Sequence, residues 1–230
     1  VQGRPARVTG MPVRERSGWG PRTQAAARFG FTAERPTLLV LGGSQGARAI
    51  NRMMLEAIPL LSEHERRHWQ VVHITGPGDA DPVRAVYDAA GLTAWVAPFL
   101  YDMEAAYAHA DIAIARAGAS TIAELARCGV PAVLIPYPHA SGHQRANAQL
   151  AESIGGAVMM EEGHATPERL LGAVKSILTD SRLRGMMAGQ MRALHAPGAA
   201  RQVAEAVAEL AQERMRKSLH WVPAVSGAAG

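Results

Sequence analysis

Apolar residues along this chain gather in short unbroken runs rather than alternating with polar ones. The runs are TLLVL at 37–41, QVVHIT at 70–75, TAWV at 93–96, DIAIA at 111–115, AVLI at 132–135 and AVMM at 157–160. Strands covered on both faces have this character, so each run predicts a buried strand. Between them lie stretches with helical spacing of apolar positions, at 47–61, 82–90, 103–108, 121–128, 144–154 and 167–178. Regular alternation of strand and helix predicts a parallel sheet with right-handed crossovers, the doubly wound α/β arrangement. A short helix is expected over 23–29 and a long amphipathic one over 199–216, and no repeat of fixed period is visible.

The 230 residues suffice for one large domain with appendages. With 48% hydrophobic and 19% charged residues, the chain can bury a core, which excludes disorder as a description of the whole. A net charge of +4 suits nucleic acid, anionic lipid or a phosphorylated ligand equally and does not choose among them. Cys128 is the only cysteine, which excludes an intramolecular disulfide and a thiolate metal cluster and favours a reducing, cytoplasmic setting. No run reaches the roughly 18 apolar residues of a spanning helix, and the Arg/Gly/Pro-rich first twenty residues lack the apolar middle of a signal peptide. Membrane contact is therefore expected to be peripheral. The opening at Val1 reads as the end of something longer, with 1–35 a linker, 36–198 the main domain, 199–217 a closing helix and 218–230 a loose, flexible tail.

In doubly wound folds the ligand sits beyond the carboxyl ends of the strands, where helix N-termini offer unpaired amides. Three turns fall there. The first, Gly42-Gly43-Ser44-Gln45-Gly46-Ala47, has glycines that let backbone amides approach an anion and a hydroxyl donor in Ser44. It matches neither the dinucleotide nor the P-loop fingerprint, and the second strand runs into Gly76-Pro77-Gly78 with no acid to hold an adenosine ribose. A tight turn that binds nothing is the alternative. The second turn, Arg116-Ala117-Gly118-Ala119-Ser120-Thr121-Ile122-Ala123-Glu124, bares a helix start suited to a pyrophosphate, with Glu124 in the first turn facing vicinal hydroxyls. Thr121 and Glu124 also have the spacing of a capping box, in which the acid serves only its own helix, and spacing does not decide between the two.

The third turn, 136–147, places Gln144 and Asn147 three apart, on one face of a helix that starts near His143, where paired amides can read sugar hydroxyls. An ordinary polar helix start is the alternative. Pro138 and Gly142 break the helix that a zinc site at His139 and His143 would need, so no metal is expected. Asp79 and Asp81 are read as ordinary helix capping before Pro82 rather than a metal-binding pair. Met53, Met54, Met159, Met160, Met186 and Met187 are read as core filling.

Taken in order, GGSQGAR at 42–48, RAGASTIAE at 116–124 and PYPH at 136–139 with Gln144 and Asn147 closely resemble the carboxy-terminal half of the MurG family of N-acetylglucosaminyltransferases. The resemblance runs from about Val8 to Arg216, and three ordered motifs at matching spacing weigh against the bland reading of each. It implies a carboxy-terminal domain of the two-domain GT-B architecture, with 36–198 binding a uridine diphosphate sugar. The implied reaction is inverting transfer of N-acetylglucosamine from UDP-N-acetylglucosamine to lipid I, giving lipid II of peptidoglycan, on the inner face of the bacterial plasma membrane.

By that resemblance the backbone at Leu100 grips the uracil, and Glu124 holds the ribose. Ser44 with the amides of Ala119, Ser120 and Thr121 takes the pyrophosphate within a loop of Gly42, Gly43, Gly46 and Gly118. Arg14 enters from the linker, and Gln144 and Asn147 hold the sugar. His143 stands where some relatives carry another glutamine, and Met11 replaces the asparagine common before the linker's Pro-Val-Arg. No cofactor, metal or nucleic acid is implied. The general base, the lipid I site and most membrane contact are expected in an amino-terminal domain, so the catalytic residue is not identifiable and this chain by itself is expected to be nearly inactive. Two other readings stay open: a non-catalytic UDP-sugar-binding subunit with a separate membrane-bound acceptor subunit, and a GT-B epimerase acting on the same donor.

Overall fold

The computed structural model describes residues 6–14, 20–43 and 45–219, with side chains described to residue 216. Six strands form one sheet: β1 (Thr37–Leu41), β2 (Gln70–Ile74), β3 (Thr93–Ala97), β4 (Ile112–Ala115), β5 (Ala132–Leu134) and β6 (Ala157–Met159). Their order is β3-β2-β1-β4-β5-β6 and every neighbouring pair is parallel. The chain thus winds outward from β1 in one direction and then from β4 in the other, which places the switch of direction between β1 and β4.

Successive side chains of a strand point to opposite faces, and the core divides accordingly. Leu38, Val40, Ile112, Ile114 and Val133 belong to one buried cluster, while Leu39, Leu41, Ala113, Ala115 and Leu134 belong to another. The first face is covered by α2 (Arg48–Ala57), α4 (Ala80–Ala89) and α8 (Pro167–Thr179) through Ile50, Met54, Val83, Leu170 and Val174. The second is covered by α1 (Arg22–Phe29), α5 (Met103–His109), α6 (Ala119–Cys128) and α7 (His143–Ser153) through Phe29, Ala106, Leu125 and Ala148. Burying a large aliphatic side chain is worth about 1.5–3 kcal/mol, so both faces are needed to hold the sheet.

Two helices lie outside the expected set, α3 (Glu63–His68) and α9 (Ser181–Ala193). The helix expected over 47–61 stops at Ala57, because Pro59 has no N–H to continue the ladder and the chain tightens into a 3₁₀ turn at Ile58–Leu60. Met53, Met54, Met160 and Met187 are buried as expected, but Met186 is 59% exposed and fills no core. The expected capping at Asp79 and Asp81 is also corrected. Asp79 is the N-cap of α4 without a side-chain cap bond and instead accepts from Asn51 Nδ2 at 2.8 Å, and Asp81 pairs with Arg84 at 2.6 Å.

The chain forms two compact units, 14–195 and a smaller one of 1–13 with 196–230. Within the smaller unit, Arg7 Nη1 lies 3.2 Å from Glu209 Oε2 on α10 (Ala199–Leu219), and Gly10 packs against Ala196. The expected tail at 218–230 falls largely outside the described residues. Among the described residues no helix is long and apolar enough to cross a membrane.

Candidate functional site

Because all six strands are parallel, the turns after β1, β3, β4 and β5 open at the same edge of the sheet, and β1 and β4 are direct neighbours with Leu41 beside Ala115. The turns at 42–47 and 116–118 therefore flank the switch point, where an open α/β sheet leaves a crevice.

The start of α6 rules out the capping-box reading of Glu124. Its N-cap is Gly118, with extended backbone and no side-chain cap bond, and the helix begins at Ala119. Thr121 is thus the third helical residue rather than the cap, so no capping box forms with Glu124. The acid also lies in the second turn, not the first as expected. Ala119 and Ser120 are exposed, and the amides of Ala119, Ser120 and Thr121 have no hydrogen-bond acceptor among the described residues; the first amide to find one is Ile122, bonded to Gly118 O at 3.0 Å.

The start of α2 is similar. Ala47 is its N-cap without a side-chain bond, and the first turn carries no acid. Helix α7 has Gly142 as its N-cap, in left-handed conformation, and likewise lacks a side-chain cap bond and an acid in its first turn. Among the helices that follow strands, α2, α6 and α7 share both absences, whereas α4, α5 and α8 carry Asp81, Glu104 and Glu168 in their first turns. An uncapped, acid-free first turn keeps the positive end of the helix dipole, equivalent to roughly half a charge, available to an anion.

The glycines of the first turn also answer to the chain's own geometry. A Cβ on Gly42 would lie 2.2 Å from Ala47 N, and one on Gly46 would lie 2.2 Å from Thr75 O. The chain's own close packing requires both. Gly43 has φ of 84° with nothing within 4 Å of a Cβ, so backbone conformation alone selects it. Gly118 has ordinary φ and ample room. Ser44 lies outside the described residues.

Glu124 is half-buried, and its Oε2 accepts from Tyr107 Oη at 2.7 Å. Tyr107 is buried, and burial, followed by the Glu124 charge and their hydrogen bond, raises its phenol well above the usual range, so it remains a donor. Leu100 stands in the rim loop between β3 and α5 with its side chain in the cluster that holds Tyr107 and Ile122. Its backbone amide and carbonyl have no hydrogen-bond partner among the described residues.

Gln144 and Asn147 lie on α7 as expected, and each uses one end of its amide internally. Gln144 Oε1 accepts from Tyr137 N at 3.0 Å, and Asn147 Nδ2 donates to Ala117 O at 3.0 Å. Asn147 therefore ties the turn after β4 to α7. Arg116, 7% exposed, fastens the turn after β5: its Nη1 donates to Ile135 O and Pro136 O, its Nη2 lies 2.5 Å from Glu162 Oε2, and it stacks 5.3 Å from the Tyr137 ring. Arg14 is exposed, and no hydrogen bond or ion pair joins it to these turns among the described residues. Tyr107, and the organising role of Arg116, were missed in the sequence; an arginine directly after a buried strand was the available signal for the latter. Among the described residues no cluster of three or more His, Cys, Asp or Glu could hold a metal.

Residues 37–214 match the glycosyltransferase family 28 C-terminal domain. The chain is 44% identical over 181 residues to the UDP-N-acetylglucosamine--N-acetylmuramyl-(pentapeptide) pyrophosphoryl-undecaprenol N-acetylglucosamine transferase of Anaeromyxobacter sp. (strain Fw109-5), covering 78% of this chain and 47% of the relative. It is 42% identical over 187 residues to the protein of the same name from Desulfotalea psychrophila (strain LSv54 / DSM 12343), covering 81% and 49%. Among solved structures, Acinetobacter baumannii MurG superposes with a TM-score of 0.68 at 33% identity, covering 76% of this chain and 52% of that one. The chain spans about half the length of the curated relatives it matches. With the doubly wound GT-B fold and a family match across most of its length, the chain belongs to glycosyltransferase family 28, of which it carries the C-terminal domain.

Proposed function

We propose that this chain is the donor-binding half of an inverting N-acetylglucosaminyltransferase that takes UDP-N-acetylglucosamine and delivers the sugar to lipid I, forming lipid II of peptidoglycan. The observation that carries the reading is the bare start of α6 beside that of α2 at the switch point, with Glu124 one turn further along α6. Donor names on the relatives point the same way.

On this reading the amides of Ala119, Ser120 and Thr121, with Ser44 and the loop of Gly42, Gly43, Gly46 and Gly118, receive the pyrophosphate. Glu124 accepts from the ribose hydroxyls, the backbone of Leu100 meets the uracil, and the free ends of Gln144 and Asn147 meet the sugar, with Arg14 closing on the phosphates. Charge grows on the pyrophosphate as the anomeric carbon departs, and preset amides at a helix start stabilise it without reorganisation. A general base must take the proton of the acceptor hydroxyl. That base, the lipid I site and most contact with the inner face of the membrane belong, on this reading, to the amino-terminal half of the family's proteins. Residues 36–198 then form the donor domain, 1–35 the linker and 199–217 the closing helix.

Calorimetric titration with UDP-N-acetylglucosamine, UDP-glucose and NAD tests the reading. Saturable binding of the uridine nucleotides, strongest for the N-acetylglucosamine donor, is expected. Saturable NAD binding with silence toward uridine nucleotides overturns it.

A further inference from the structure

Glu124 stands on α6, and a carboxylate on a half-buried helix face has several rotamers open to it, only some of which face the crevice. One neighbour restricts that choice. Tyr107, 3% exposed on α5, donates its hydroxyl to Glu124 Oε2 at 2.7 Å, from a ring packed in the cluster that contains Leu100, Ile122 and Leu125. The ring cannot swing away without opening the core, and the raised phenol keeps its proton, so the bond has a fixed donor and a fixed direction. The bond engages Oε2 and leaves Oε1 for another donor.

Helix α5 adds a second relation. It follows directly on the rim loop that holds Leu100, and Leu100 and Tyr107 share one cluster. The rim loop and the acid are therefore held by a single packed unit.

We propose that Tyr107 is a positioning residue: by holding one carboxylate oxygen of Glu124, it presents the other to a ribose 2′-hydroxyl and gives the site its preference for ribonucleotides over deoxyribonucleotides. The inference rests on the reading of Glu124 as the ribose acid. Its physical content is pre-organisation. A carboxylate already held in its binding rotamer loses less freedom when the hydroxyl arrives, and the advantage is greatest for ligands that carry that hydroxyl.

The test measures the affinities of uridine diphosphate and 2′-deoxyuridine diphosphate for the 230-residue chain and its Tyr107→Phe and Glu124→Gln variants, well below each melting midpoint. Tyr107→Phe keeps the ring and its packing. It is expected to weaken uridine diphosphate about three- to tenfold and the deoxy ligand, which keeps only its 3′-hydroxyl, by less, so that the preference shrinks. Glu124→Gln is expected to reduce the preference further. If Tyr107→Phe weakens both ligands equally, or neither, while Glu124→Gln reduces the preference, Tyr107 only supports the fold and the proposal fails with the Glu124 reading intact. If Glu124→Gln leaves the preference whole, the ribose reading fails and the proposal falls with it.

Discussion

Gly46 and Gly76 meet backbone to backbone: a Cβ on Gly76 would sit 2.5 Å from Gly46 Cα, and one on Gly46 would sit 2.7 Å from Gly76 Cα. Both residues have positive φ, 73° and 80°. The turns after β1 and β2 can approach this closely only because neither carries a side chain. Alanine at Gly46 or Gly76 must therefore bear both left-handed strain, about 1–2 kcal/mol, and a clash with main chain that cannot yield. Urea unfolding is expected to show a loss of about 3 kcal/mol or more for either variant. Alanine at Gly43, where nothing lies within 4 Å, should cost only the strain. Equal losses at Gly43 and Gly46 would refute this account of the turn.

Glu124→Ala removes the proposed ribose acceptor without removing a helix cap, since Gly118 is the N-cap of α6. Uridine diphosphate affinity is expected to fall by about 1.5–3 kcal/mol, or roughly 10- to 150-fold, by calorimetry. Unchanged affinity with a lowered melting temperature would mean that the acid serves the fold alone.

Asn147 holds Ala117 O, the carbonyl just before the N-cap of α6. Asn147→Asp replaces the donor with a second acceptor facing that carbonyl. Stability should drop by about 1–3 kcal/mol, and nucleotide affinity should drop with it because the amides of α6 lose their fixed placement. Retention of both would show that the turn is held by other means.

The buried network behind α2 predicts acid sensitivity. His73 is fully buried, with Nε2 3.0 Å from Asn51 Oδ1 and Nδ1 2.9 Å from Tyr87 Oη. Because Asn51 Nδ2 donates to Thr75 O and Asp79, its Oδ1 must accept from His73 Nε2, and Tyr87 then donates to Nδ1. Both ring nitrogens are satisfied by a neutral imidazole. Burial, only partly opposed by the charge of Asp79, pushes His73 from 6.5 down to about 3. Between those values the unfolded chain binds the proton and the folded chain does not, so stability rises with pH through this window. The contribution is complete above pH 6.5 and is lost as the pH falls toward 3. His109, pushed down to about 4 by burial and then by Arg22, adds to the same trend. Each such histidine should remove about 2 kcal/mol of stability between pH 7 and pH 5. Ring resonances of His73 that titrate near the ordinary value in the folded chain would contradict this.

Strand runs such as TLLVL and AVLI were legible because burial on both faces leaves no polar positions to obscure them. Helix α3 was not, because none of its residues is buried and apolar periodicity has nothing to report; its one mark was Ser62 three before Glu65, the capping box observed there. Helix α9 is similarly faint, with Gly185 and Gly189 inside it, although Asp180 is visible as its cap. At the candidate site the three turns are recognisable, but local pattern starts α6 two residues late at Thr121, because Thr121 and Glu124 have the spacing of a capping box and Gly118 offers no such mark. The bonds of Asn147 to Ala117 and Tyr107 to Glu124 join different elements, and that of Gln144 to Tyr137 closes a turn of irregular backbone, so no periodic pattern encodes them.

Amide resonances give the most direct test of whether the bare start of α6 receives a diphosphate. In ¹⁵N-labelled chain, titration with uridine diphosphate is expected to move the signals of Ala119, Ser120 and Thr121 strongly, whereas uridine at matched occupancy leaves them near their starting positions. Saturation by uridine diphosphate with those three amides unmoved would contradict the account.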